Sequence, residues 1–136
     1  MHDHNFVDEN EETNDVPTPE RECDEELYAA LVTHQKVVAI GEFGFDYSRV
    51  PEGMDVETFK NDQRIVARAQ LRFASKHGKP VVIHCRGGVT ADVTGAHDDI
   101  RVLIAEEIKS GGLEKRGVIH CFTSTAEDAR KYAELG

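Results

Sequence analysis

The chain has 136 residues, 39% of them apolar, with no tryptophan and a formal net charge of −10, which allows one domain with its own core and excludes two. No stretch approaches the ~20 consecutive apolar residues of a membrane-spanning helix, and no charged start leads into an apolar signal region, so a soluble, cytoplasmic protein is expected. Eleven of the 26 acids but only one of the 16 bases fall within residues 1–26, so the acidity belongs to an N-terminal arm and the neutral remainder is open to an anionic substrate.

Residues 1–24 are polar and acidic and carry Pro17 and Pro19. Such a stretch buries too little apolar surface to offset its ordering entropy, so a disordered arm is expected there, with one domain over 25–136. Within 25–34, Leu27, Ala30, Leu31 and His34 recur at helical spacing and predict a short amphipathic helix. The apolar run VVAI at 37–40 ends at Gly41 and suits a strand buried on both faces. A long helix is predicted over 58–77, with Phe59, Val66, Ala69 and Phe73 on one stripe and Gly78 and Pro80 stopping it. A second short strand (VVI, 81–83) precedes a helix over 98–110, whose apolar face is Ile100, Leu103, Ile104 and Ile108. A third strand at 117–119 leads to a last helix over 126–135. The order αβαβαβα, with unbroken apolar strands, predicts an α/β fold with a parallel sheet and helical crossovers.

Each strand ends alike: VVAIGE closes on Glu42, VVIH on His84 and GVIH on His120. The carboxyl ends of parallel strands are where α/β barrels and open sheets build their sites. One carboxylate and two imidazoles make a recognised zinc set with a coordination position left for water. A single strand-end histidine is equally a hydrogen-bonded core residue; the repetition on three strands favours convergence on a common ion.

The segments VVAIGEFGFDYSR (37–49), KPVVIHCR (79–86) and GVIHCFTS (117–124), in this order, resemble the TatD-related metal-dependent deoxyribonuclease family. The resemblance implies part of a (β/α) TIM-type barrel and a hydrolase of phosphodiester bonds in DNA. It also implies divalent metal ions (Mg, Mn or Zn), with Glu42 bridging two of them and Glu42, His84 and His120 holding the second. Asp46, Tyr47 and Arg49 match the family's loop after the first of these strands. Ala96-His97 matches its Ala-His pair, displaced by the insertion GGVTADVTG at 87–95. Asp46, Arg49, Arg86 and His97 are the expected substrate-side residues; the two arginines suit charge-assisted bonds to phosphate, or equally ion pairs between loops. The family's first metal is held by a His-x-His ending its first strand and by a late-strand aspartate. His2-Asp3-His4 spells the former without a preceding apolar strand, and no aspartate matches the latter, so the catalytic set is expected to be incomplete. A catalytically inactive barrel fragment, serving as a metal-binding or interaction module, is the alternative.

Three parallel strands cannot close a barrel that takes eight strands and ~250 residues. Open edges are expected to bring self-association or marginal stability, or to mark a chain cut from a longer one. Cys85 and Cys121 follow metal-type histidines, but neighbours on a strand point to opposite faces, so both thiols are expected to be buried and structural. Lys60, Arg64, Arg68, Arg72 and Lys76 recur every four residues, a self-repelling stripe that suits a solvated helix face, nucleic acid or the acidic arm.

Overall fold

The computed structural model describes residues 25–87 and 93–136. The expected acidic arm, His2 and His4, and the middle of the 87–95 insertion lie outside these residues. Seven elements follow in the anticipated order: α1 (Glu25–Val32), β1 (Ile40–Asp46), α2 (Val56–Lys76), β2 (Val81–Arg86), α3 (Ala96–Lys109), β3 (Gly117–Ile119) and α4 (Ala126–Ala133). The strands form one parallel sheet in the order β1-β2-β3, an arc of a (β/α) barrel. Among the described residues no helix is long and apolar enough to cross a membrane.

Strand alternation sorts the sheet into two unlike faces. Phe43, Phe45, Val81, Ile83 and Cys85 are buried on the helix side, in one core with Leu71, Ile100, Leu103 and Leu113. α2 packs on β1, α3 on β1 and β2, and the two helices on each other. Burying each large apolar side chain of this layer contributes about 1.5–3 kcal/mol, which offsets the entropy of ordering it. The alternate residues Glu42, Gly44 and Asp46 of β1, and Val82, His84 and Arg86 of β2, lie on the other face and stay half-buried or exposed.

The first strand is displaced from its expected place. Val38, assigned to a doubly buried run at 37–40, is 76% exposed, and pairing runs instead from Ile40 to Asp46. The reason lies in the partner. Ile40 N donates to Pro80 O at 2.9 Å, and Pro80, lacking an N–H, marks where β2 begins. Residues 37–39 therefore have no ladder to join, while Phe43 and Phe45 draw the glycine-containing GEFGF into the strand.

Helix ends follow their local chemistry. Asp55 caps α2 by accepting from Thr58 N at 3.0 Å, which starts the helix before the predicted 58. At the other end Gly78, with φ of 59°, lets Lys79 N reach Ala74 O at 3.0 Å and close the helix. The basic stripe on α2 is a solvated face only in part, at the exposed Arg72 and Lys76. Lys60 and Arg64 reach Asp99 at 3.8 and 3.2 Å, and Arg68 reaches Glu106 at 2.9 Å. Acids of α3 thus neutralise the repulsion where the two helices pack, and Lys76 pairs with Glu25 of α1.

Candidate metal centre

Glu42 occupies an irregularity in β1. Gly41 pairs with Val82 and Phe43 with Ile83, so Glu42 is the extra residue between them. A bulge of this kind re-aims a side chain beside a site. Oε1 of Glu42 lies 3.3 Å from Nδ1 of His84 and 3.3 Å from Nδ1 of His120. His120 enters from the end of β3, where its N–H donates to Ile83 O at 2.8 Å and extends the ladder by one residue. The structure therefore brings together the carboxylate and both imidazoles, but β1 and β2 run past Glu42 and His84 to Asp46 and Arg86, so only His120 stands at the end of its strand as expected.

The cluster is open to solvent, with Glu42, His84 and His120 at 42, 39 and 58% side-chain exposure. Among the described residues no three His, Cys, Asp or Glu side chains close around one point as a finished metal cage does.

Asp46, on the same face as Glu42, lies against the other edge of the His84 ring, with Oδ2 3.1 Å from Nε2. Its Oδ1 accepts from Ser48 N at 2.9 Å and from the Ser48 hydroxyl. Partial burial pushes this carboxyl up, but the hydrogen bonds from Ser48 and His84 outweigh it and hold it below the usual range. Two residues that periodicity and motif spacing do not single out complete the arrangement. Gln63 of α2 accepts from Asp46 N at 2.8 Å and donates to Asp46 O at 3.1 Å, holding the peptide groups on either side of the Asp46 Cα. Gly44, paired with His84 in the ladder, has φ of 151°, and a Cβ there would lie 1.9 Å from the His84 carbonyl oxygen. Only glycine lets the two backbones meet at this point.

The remaining expected residues fall in three places. Arg49, after β1, and Arg86, closing β2, are exposed, and Arg86 pairs in register with Asp46. His97 joins an aromatic group in which Nδ1 lies 2.9 Å from the Tyr132 hydroxyl and the ring meets Phe122 and Tyr132 edge-on. Burial lowers the pKa of His97 below that of a free imidazole. Tyr47, matched by the family's loop, points instead into the core, fully buried, and donates to Asp99 at 2.8 Å.

The thiols divide. Cys85 is buried, and that burial pushes its pKa up to about 11, so it is no thiolate at neutral pH. Cys121 is exposed, against the expectation of burial. β3 ends at Ile119, and the backbone at Cys121 turns to φ of 49°, so strand alternation no longer governs where its side chain points.

Residues 5–136 match the family described as TatD related DNase. The match begins within the acidic stretch and just after His4. The chain is 35% identical over 107 residues to the uncharacterized metal-dependent hydrolase YabD of Bacillus subtilis, covering 77% of this chain and 34% of that protein. It is 35% identical over 114 residues to the 3'-5' ssDNA/RNA exonuclease TatD of Escherichia fergusonii, covering 82% of this chain and 36% of the relative. It therefore spans about a third of the length of these curated relatives. Among solved structures, the TatD homolog YJJV of Escherichia coli K12 superposes with a TM-score of 0.57 at 28% identity, over 82% of this chain and 36% of that one. Motif order, parallel strand topology and the sequence match agree: the chain belongs to the TatD-related DNase family.

Proposed function

We propose that Glu42, His84 and His120 hold a divalent metal ion and that the chain is a metal-dependent hydrolase of nucleic-acid phosphodiesters, with a partial catalytic set. The approach of both Nδ1 atoms to one Glu42 oxygen at 3.3 Å carries this reading. Donor atoms ~2.1 Å from a tetrahedral ion stand about 3.4 Å apart, so two edges of a ligand triangle already have a suitable length. Two imidazole nitrogens beside a carboxylate oxygen suit Zn or Mn better than Mg, which prefers oxygen ligands throughout. A bound ion supplies Lewis acidity and a lowered pKa for its water. Arg49 and Arg86, exposed at the ends of β1 and β2, hold phosphate oxygens by charge-assisted bonds. His97, whose pKa burial lowers, serves the substrate side from the start of α3. Single-stranded DNA or RNA is the substrate class, in keeping with the exonuclease relatives.

The test is metal analysis of the purified chain by mass spectrometry, followed by a 3′-exonuclease assay with Mg²⁺, Mn²⁺ or Zn²⁺. Stoichiometric metal, and turnover abolished by Glu42→Ala, is the expected result. Bound metal without turnover reduces the protein to a metal-binding module, and a metal-free chain that cannot be loaded overturns the site. The same reading includes self-association: among the described residues β1 and β3 each pair only with β2, and Val118 beside the β3 edge is 55% exposed. Light scattering showing a monomer at micromolar concentration excludes that part.

A further inference from the structure

We infer that Asp46 is a positioning residue, which with Gln63 fixes the His84 ring so that Nδ1, not Nε2, faces the metal ion. The inference rests on the proposed metal site and adds what orients one of its ligands. A carboxylate accepts hydrogen bonds only, so the 3.1 Å approach of Asp46 Oδ2 to Nε2 requires the ring proton to sit on Nε2. On a neutral ring the Nδ1 lone pair then faces Glu42, 3.3 Å away, and His120 Nδ1 stands equally near the same oxygen. Protonated rings would donate to Glu42 at these distances, and an ion at the proposed site takes the place of those protons. Asp46 is itself held. Ser48 occupies its Oδ1, and the Gln63 amide holds the two peptide groups flanking its Cα. The chain of contacts thus runs from α2 through the end of β1 to a ligand on β2, the carboxylate–imidazole–metal arrangement that raises ligand basicity.

Loading the whole chain, labelled with ¹⁵N-histidine, with ¹¹³Cd²⁺ reads the geometry directly. Coupling of cadmium to His84 Nδ1, with a protonated Nε2, is expected. Calorimetric titration should show Asp46→Ala weakening Cd²⁺ binding about 10–100-fold, with Gln63→Ala weaker by a smaller factor and circular dichroism unchanged in both. Coupling through Nε2, or affinity within twofold of the parent in folded Asp46→Ala, overturns this inference and leaves the metal site standing. A parent chain with no cadmium coupling to either histidine overturns the metal site, and the positioning role with it. If Asp46→Ala does not fold, the coupling pattern of the parent decides alone.

Discussion

Arg101 Nη1 donates to Asp128 Oδ1 at 2.8 Å, tying α3 to the first turn of α4. Arg101 is a charged side chain taken into the interior, only 8% exposed, and its second partner is Asp98 on its own helix. Removing one member of a buried pair strands the other charge, which costs 3–5 kcal/mol in full burial. Asp98 remains to Arg101, so Asp128→Ala is expected to cost about 2 kcal/mol. Urea unfolding with an unchanged m-value checks this, and a loss under 0.5 kcal/mol means that the pair is solvated.

The same carboxyl sets an acid limit. Hydrogen bonding from Ser124, opposed by burial and joined by Arg101 and Thr125, holds Asp128 at about 2. Its folded pKa lies below the unfolded value, so the stability it contributes is present above about pH 4 and is lost as pH falls toward 2. The depression corresponds to about 2 kcal/mol at most. Stability measured from pH 5 to 2.5 should fall less steeply in Asp128→Asn than in the parent. Parallel slopes would refute the assignment.

Gly44→Ala is expected to be the most damaging single methyl in the sheet. Its Cβ meets the His84 carbonyl oxygen at 1.9 Å, from a backbone with φ of 151°. The Cβ has no rotamer to escape by and the oxygen it meets is main chain, so relief requires β1 and β2 to part. Overpacking and backbone strain together amount to about 3 kcal/mol or more. The variant should unfold at markedly lower urea concentration and weaken metal loading at the proposed site, because His84 sits across from this residue. Parent-like stability would show that the strands separate at little cost.

The order of elements was legible because local signals agreed: helical spacing, Gly78 stopping α2, and apolar strands of three or four residues. The residues proposed as ligands, Glu42, His84 and His120, stood out because each is the first polar residue after an apolar run, but that signal misplaced two of them: β1 and β2 continue past Glu42 and His84 to Asp46 and Arg86. The start of β1 was not legible. VVAI satisfies every local criterion for a strand, and only the position of Pro80 across the sheet denies it a partner. Gln63 was equally hidden, since a glutamine on a helix reads as a solvent-side residue and its partner Asp46 is 17 positions away. The basic stripe was legible only in part: Arg72 and Lys76 are exposed, as a solvated face requires, but Asp99 and Glu106, which receive Lys60, Arg64 and Arg68, belong to another helix. Tertiary partners decide what side-chain spacing alone leaves open.

Tyr47 and Asp99 give the last expectation. Tyr47 is fully buried, its ring stacked 5.6 Å from Phe45, and its hydroxyl donates to Asp99 at 2.8 Å. Burial and the neighbouring Asp99 carboxylate both raise its pKa, so the hydroxyl stays protonated and needs an acceptor. Asp99→Ala removes that acceptor and leaves a buried donor unpaired, costing about 1–3 kcal/mol, and also frees Lys60 and Arg64. Tyr47→Phe removes the donor itself and should cost about 1 kcal/mol. If the hydroxyl is what Asp99 serves, the double variant Tyr47→Phe/Asp99→Ala is less destabilised than the two single losses added together. Additive losses in the urea-denaturation cycle would instead place the value of Asp99 in its pairs with Lys60 and Arg64, and would make Tyr47 an ordinary aromatic filler of the layer between β1 and α2.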